Sequence, residues 1–248
     1  MTPDRLAPSP KDDNSERFVD WGRSRLALWR SFCQRYRVSE ESVPLFECDE
    51  SGFVLTKEIG ISRRRKILKR SSAMEALMRK EVAKVVEDHK AATALYDGII
   101  YMMHIKGDDG EVVPCYIGKS ETLGKTSGVL SANLERLATD TSKFGRWGDN
   151  YAYHIGDLSS IVLPGHDKQV QTVKYRSWAT ALFEGINTDR PCLRKPVFFW
   201  VRAWKREDLG IWTEFGPTRL SFLEYLLIGL ASSIFPHALL NREGHNRF

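Results

Sequence analysis

The chain has 248 residues, of which 42% are hydrophobic and 28% charged, so it carries enough apolar side chains to bury a core. Its length suits one large domain, or a small domain with an extension. The formal net charge is +5, and most of the excess lies in the first 90 residues. A basic excess favours an anionic partner, nucleic acid before an anionic membrane, although an ordinary basic protein explains the charge equally well.

Cysteine spacing and apolar patterning argue against three further classes of protein. The 4 cysteines form no Cys-x-x-Cys pair and fit no zinc pattern, so we expect free thiols in a reducing, cytoplasmic setting. No apolar core follows Met1, so no signal peptide is predicted. The longest apolar run, residues 225–240, is shorter than a membrane span and contains Pro236, so we predict a buried helix and no membrane partner.

The first third of the chain is predicted to be mostly helical. Residues 1–15 are rich in Pro, Asp and Ser and are predicted to be a disordered tail. Apolar residues recur at helical spacing over residues 16–38 and again over residues 74–86, which predicts two amphipathic helices. A turn at residues 49–52 predicts a small hairpin between them. We therefore expect residues 16–94 to form a helical region that contacts DNA.

A run of basic side chains leads into the second of these helices. Cations that close together repel one another unless an anion neutralises them, and contact with DNA phosphates would do so with release of counterions. The alternative is a solvated helix face. The candidate DNA-binding residues are Arg63, Arg64, Arg65, Lys66, Lys69 and Arg70.

The rest of the chain is predicted to be built around a β-hairpin. Two β-prone runs, residues 98–104 and 112–117, flank a turn that ends in Asp-Gly, the strongest short-range hairpin signal. A third strand is predicted over residues 197–204, which are β-branched and aromatic. The predicted fold class is therefore α+β: a small three-stranded antiparallel sheet flanked by helices over residues 95–248, preceded by the helical, basic extension.

Side chains suited to catalysis accompany this hairpin and the helices that follow it. Tyr101 and Tyr116 lie one on each hairpin strand. Arg136 lies on a predicted helix, on a different face from its leucines. Glu224 lies on a late and otherwise apolar helix, and Asn241 follows that helix. A lone carboxylate among apolar residues is costly to bury unless it is paired, and a divalent cation would pair it.

In this pattern the chain resembles the GIY-YIG nuclease family. The resemblance covers residues 95–241, with Ile100 and Tyr101 as the first motif and Tyr116, Ile117 and Gly118 as the second. It implies that Arg136 is the family's helix arginine, Glu224 its metal-binding glutamate and Asn241 its trailing asparagine. Lys119, which directly follows the second motif, and a Gly/Ser-rich segment before the arginine helix resemble the type II restriction-endonuclease branch.

The chain departs from the family pattern at two positions. Gly98 stands one residue too early, so that Ile99 takes the place of the motif glycine when Tyr101 is in register. Asp140 stands where the family often has a histidine or tyrosine, one turn after the arginine. His154, from an aromatic segment further on, is a candidate substitute.

The resemblance implies a Mg²⁺- or Mn²⁺-dependent endonuclease of restriction or defence type that cuts double-stranded DNA. Glu224 would hold one metal ion, while Arg136 and Lys119 would bind the phosphate. Tyr101 would take the proton of the attacking water, and Tyr116 would position that water or a phosphate oxygen.

Asn241 would orient the tyrosines or close the helix end. A homodimer would bring two sites to the two strands of a duplex.

Several alternatives stay open at this stage. The chain could be a DNA-binding protein that keeps the fold without catalysis, an interaction module, or a nuclease that cuts RNA or acts in repair. Ser221 and Glu224 have the spacing of a helix capping box. Tyr101 and Tyr116 could be simple cross-strand packing partners.

Overall fold

The computed structural model describes residues 14–59, 65–124, 128–140, 154–168 and 171–242. Within these ranges the helices are α1 Asn14–Arg35, α2 Val38–Glu41, α3 Ser72–Ala91, α4 Ala132–Thr139, α5 His154–Val162, α6 Val173–Leu182 and α7 Leu220–Ile234. The strands are β1 Val43–Pro44, β2 Thr56–Ile59, β3 Arg65–Leu68, β4 Tyr96–Lys106, β5 Val112–Glu121 and β6 Phe198–Lys205. A 3-10 turn, Thr213–Phe215, precedes the last helix.

The predicted α+β class is confirmed. The main sheet is antiparallel with the strand order β1-β6-β4-β5, and β2 and β3 form a separate two-stranded sheet. The three predicted strands are β4, β5 and β6, but the predicted number of three is wrong, because β1 pairs with the outer side of β6. That strand has only two residues, too few to give a period-2 signal in the sequence.

The predicted hairpin turn joins β4 to β5. The Gly107 N–H donates to the Glu111 carbonyl at 2.8 Å, and the Gly110 N–H donates to the Gly107 carbonyl at 3.0 Å. Gly110 has a φ of +80°, a left-handed conformation that glycine adopts without strain. The register places Tyr101 directly opposite Gly118, so the second motif faces the first across the two strands.

Side chains on the two faces of the sheet belong to two separate apolar clusters. Ile99, Tyr101 and Met103 point to one face, which is covered by residues of α3, α4, α5 and α6. We call this the tyrosine face. Ile100 and Ile117 point to the opposite face, which is covered by α1 and α7 and which we call the α7 face.

The amino-terminal third contributes to both faces and to one edge of the sheet. On the α7 face, the Trp29 indole of α1 donates to the Val112 carbonyl at 2.8 Å. On the tyrosine face, α3 starts at the N-cap Ser71, whose hydroxyl accepts from the Met74 N–H, and packs against β4 and β6. The predicted disordered tail lies outside the described residues up to residue 13, and its last two residues belong to α1.

The fold bears on several further predictions. Residues 65–68 of the basic run form β3, which pairs with β2 in antiparallel register, so the alternative of a solvated helix face is wrong for them. The helix predicted to follow the run is α3, which begins at Ser72. The predicted free thiols are confirmed, because all 4 cysteines are unpaired. Among the described helices, none is long and apolar enough to cross a membrane. The buried helix predicted in the carboxy-terminal apolar run is α7, whose Leu223, Leu227 and Ala231 are fully buried.

Candidate active site

The ring of Tyr101 lies across Gly118 on the tyrosine face. A Cβ atom added at position 118 would be 2.6 Å from both Cζ and Oη of the phenol, which is too close for any side chain. Gly118 therefore lets the ring lie over β5, the outer strand of the sheet. Tyr101 is only 5% exposed, and its ring also packs beside Phe199.

Tyr116 is the neighbour of Tyr101 on the same face. The two ring centroids are 6.2 Å apart, and the Tyr116 ring packs on Trp178 of α6 at 4.8 Å. Arg136 belongs to this face as well, because α4 packs on α3 and β5 through Leu134 and Leu137. The predicted phenol pair and the predicted arginine thus share one side of the sheet.

Lys119 and Glu224 lie on the opposite side. Lys119 pairs across the hairpin with Ile100, which points to the α7 face. Its ammonium is 3.9 Å from Glu224 Oε2 on α7 and 2.6 Å from Glu121 Oε1. The sequence predicted one shared cleft, whereas the structure separates the acid and lysine from the phenols by the thickness of one strand.

Ser221 completes the charged cluster on the α7 face. The capping-box alternative is wrong, since α7 begins at Leu220 and its N-cap is Arg219, so Ser221 is already inside the helix. The Ser221 hydroxyl instead donates to Glu121. The hydrogen bond from Lys119, and then that from Ser221, lower the pKa of Glu121.

Asn241 occupies the free edge of β5. Its Oδ1 accepts from the Ile117 N–H at 3.0 Å, and its Nδ2 donates to the Ile117 carbonyl at 2.8 Å. An edge strand leaves such groups without a strand partner, and the amide satisfies both of them. Asn241 therefore acts as a positioning residue that fixes the strand between Tyr116 and Gly118.

Of the predicted catalytic and metal-binding side chains, all except Arg136 thus have a defined place around one short segment, residues 116–119. The phenols lie on one face of it, Asn241 at its edge, and Lys119 with Glu224 on the other face. Sequence reasoning missed Glu121, although it lies two residues after Lys119 and hence on the same face of the strand.

The carboxylates near Lys119 allow the predicted metal to be tested against the residues present. Among the described residues there is no group of three or more His, Cys, Asp or Glu side chains placed to hold a metal ion. Mg²⁺, however, keeps several waters and is commonly held by one or two carboxylates. Glu224 and Glu121, which flank one ammonium, fit such a hydrated ion, and the ammonium of Lys119 would compete with it for the same oxygens.

The predicted DNA-binding run is only partly described. Arg63 and Arg64 lie outside the described residues, and only the backbone of Arg65 is described. The Nζ atom of Lys66 lies 3.6 Å from Oδ1 of Asp189, and the side chain of Lys69 is exposed.

Arg70 plays a structural part in this segment. Its guanidinium lies 3.1 Å from Glu75 and is largely shielded from solvent, and this burial lowers its pKa despite the carboxylate. It therefore stabilises the start of α3 and has little surface left for a phosphate.

The candidate substitute for the family's helix histidine is likewise only partly placed. His154 is the first residue of α5, and its side chain lies outside the described residues. Asp140 is the C-cap of α4. No family model, curated protein or solved structure matches this chain.

Proposed function

We propose that this chain is a metal-dependent endonuclease that hydrolyses DNA phosphodiester bonds, with its reacting groups around residues 116–119. The observation that carries the proposal is the position of the Tyr101 ring over Gly118, which brings a phenol onto β5, the edge strand of the sheet. The resemblance to GIY-YIG nucleases supports the proposal, and it favours double-stranded DNA, a restriction or defence setting and action as a homodimer.

The residues on the tyrosine face would move the proton. A phenol in water has a pKa of about 10 and is a poor base at neutral pH, so it needs a nearby cation to favour the phenolate. Arg136 lies on the helix that covers this face and would both favour the phenolate and bind the phosphate with two hydrogen bonds. Tyr101 would then accept the proton of the attacking water, and Tyr116 would orient that water.

The residues on the α7 face would bind the metal and the leaving side of the phosphate. Glu224, with Glu121 beside it, would hold Mg²⁺ or Mn²⁺, which supplies charge neutralisation at the phosphate. Lys119 lies between the two carboxylates and would turn from them to a phosphate oxygen when a metal ion neutralises them. The residues of the tyrosine face and those of the α7 face would act on the same phosphate at the edge of β5.

A second function, DNA binding without catalysis, is favoured by one specific observation. The acid and the phenols lie on opposite faces of the sheet, and Lys119 is paired with carboxylates rather than directed to the phenols. In a DNA-binding protein without catalysis, the Tyr101 phenol would only pack against its neighbours on the tyrosine face.

A plasmid-nicking assay separates these functions. The endonuclease proposal predicts nicking with Mg²⁺ that EDTA abolishes, and a loss of at least a hundredfold in Glu224→Gln, in line with the loss of a group that stabilises the transition state. The matched control is Glu41→Gln, which removes an exposed carboxylate paired with Arg37 on the amino-terminal helices. Tight DNA binding with no metal-dependent nicking by the unmodified chain would support the second function instead.

A further inference from the structure

A charged cleft opens at the end of the β4–β5 hairpin that is opposite its turn. The cleft has a volume of about 250 Å³. We call it the Asp97 cleft; the lining residues that matter here are Asp97, Glu121, Arg206, Arg219 and Ser221. None of its arginines belongs to the sequence-predicted site.

Asp97 holds both arginines of this cleft in place. Its carboxylate is 7% exposed and accepts two hydrogen bonds from Arg219, from Nε at 2.6 Å and from Nη2 at 2.7 Å. Arg206 Nε lies 3.2 Å from the same carboxylate. The Leu220 N–H, at the start of α7, donates to it at 3.3 Å. One buried acid thus orients two arginines.

The outer sides of both guanidinium groups remain accessible. The side chain of Arg219 is 67% exposed and that of Arg206 is 46% exposed. A guanidinium has five N–H donors in a fixed plane, and Arg219 uses two of them on Asp97. A group that is held on one side and open on the other is preorganised to bind a planar or tetrahedral anion with two hydrogen bonds.

The two arginines of the lining, Arg206 and Arg219, balance its two acids in formal charge, but both acids are already engaged by cations. Two arginines share the single carboxylate of Asp97, while the other acid in the lining, Glu121, is paired with Lys119. The first turn of α7 also borders the cleft, and a helix N-terminus favours anions. Phosphate, with several acceptor oxygens and a negative charge, fits this set of donors.

The cleft is continuous with the candidate active site. Glu121 lines the cleft and contacts Lys119, and Ser221 lies one helical turn before Glu224. This continuity favours a phosphate that belongs to a polynucleotide over a free anion.

We infer that the Asp97 cleft binds a backbone phosphate of the DNA strand, next to the phosphate that is hydrolysed. The inference rests on the proposed function for the position of the reacting phosphate. It assigns Arg206 and Arg219 to substrate binding and Asp97 to the positioning of both.

The test is the binding of a short fluorescent DNA duplex, followed by anisotropy in EDTA so that no strand is cut. Arg219→Gln is expected to weaken binding about tenfold, because a hydrogen-bonded charge contact is lost. It should also reduce the slope of log affinity against log salt by about 1, the signature of one lost phosphate contact. Arg206→Gln should act in the same direction, and Arg219→Lys should keep most of the salt slope.

Arg30→Gln is the matched control. Arg30 also pairs with carboxylates of the hairpin, Glu111 and Asp109, but it lies at the turn end and faces a surface that contains Glu40 as well. Its loss should leave both DNA affinity and salt slope unchanged. A melting temperature for each variant shows whether the protein is still folded.

Three results would overturn the inference. If folded Arg219→Gln keeps the affinity and salt slope of the unmodified chain, the arginine pair only stabilises the start of α7. If inorganic phosphate raises the melting temperature of the unmodified chain but not of the variant, while DNA binding is equal, the cleft takes a free anion. If Arg30→Gln weakens binding as much as Arg219→Gln, the effect is general charge.

The outcome for the inference and the outcome for the proposed function can be read separately. Metal-dependent nicking together with an ineffective Arg219→Gln would keep the nuclease and reject the cleft. Weaker binding in Arg219→Gln together with no nicking would keep the cleft and reject the nuclease.

Discussion

Tyr101 and Gly118 face each other across β4 and β5, and the phenol lies where a side chain at position 118 would have to be. The hypothetical Cβ is 2.6 Å from the phenol oxygen, so glycine is required for this ring position. Gly118, the glycine of the second motif, therefore makes room for Tyr101, the tyrosine of the first motif.

Gly118→Ala is expected to displace the Tyr101 ring. Extra atoms in a well-packed site force side chains out of their rotamers at a cost of about 1–3 kcal/mol, which urea unfolding measures. If Tyr101 acts in hydrolysis, the variant should also lose nicking activity by at least the factor lost in Tyr101→Phe. Gly229→Ala is the control, since a Cβ there meets nothing within 4 Å and alanine favours a helix.

The outcome for position 118 can contradict the account in two ways. An unchanged free energy of unfolding would mean that the ring does not occupy the place described. A large loss of stability with unchanged nicking by the folded fraction would remove Tyr101 from the reaction while leaving the packing intact.

Asn241→Ala is expected to loosen the edge of β5. The substitution leaves the Ile117 N–H and carbonyl without the amide that now satisfies both, which should lower the free energy of unfolding by about 1–2 kcal/mol. Hydrogen exchange of the Ile117 amide should accelerate. Asn241→Asp keeps the acceptor for the Ile117 N–H and serves as the partial control, so its Ile117 amide should exchange more slowly than that of the alanine variant. Equal exchange of this amide in the unmodified chain and both variants would contradict the pairing.

His104 is expected to make the protein less stable in acid. The imidazole is completely buried on the sheet, where its Nε2 lies 2.7 Å from the Ser42 hydroxyl, and burial lowers its pKa to about 4. In the unfolded chain a histidine has a pKa of about 6.5. Between this pKa and that of folded His104, the unfolded state therefore binds more protons than the folded state. The free energy of unfolding should therefore fall as the pH falls from about 6.5 to about 4, by about 3 kcal/mol in total.

Urea unfolding at a series of pH values checks this expectation. His104→Gln should be less sensitive to pH over that window, whereas His237→Gln, which removes an exposed histidine, should keep the slope of the unmodified chain. Equal slopes in all three proteins would show that His104 is not buried in its neutral form.

Local signals were sufficient to predict much of the fold. The Asp-Gly turn and the alternation around it specify the β4–β5 hairpin within two dozen or so residues, and its turn hydrogen bonds are formed as expected. Amphipathic patterns likewise predicted α1 and α3, and the carboxy-terminal apolar run predicted α7. The strand β3 inside the basic run was not predicted, because it forms by pairing with β2 and charge density does not fix secondary structure.

The candidate site depends on contacts that sequence spacing does not encode. Arg219 and Asp97 are 122 positions apart, and their pairing results from the packing of α7 at the end of the hairpin. One feature could have been predicted: Tyr116 and Lys119 are three residues apart on one strand, so their side chains must point to opposite faces. The alternation of the strand thus predicts an arrangement around the strand edge in place of a single cleft.

The single-turnover nicking rate of Tyr101→Phe with Mg²⁺ tests the central claim most directly. Phenylalanine keeps the ring over Gly118 and removes only the hydroxyl, and loss of a general base lowers rates by a factor of about 10²–10⁴. Tyr225→Phe, which removes an exposed hydroxyl on α7, is the control. We predict a loss of at least a hundredfold in Tyr101→Phe and an unchanged rate in Tyr225→Phe; a Tyr101→Phe protein that nicks DNA as fast as the unmodified chain would contradict the account.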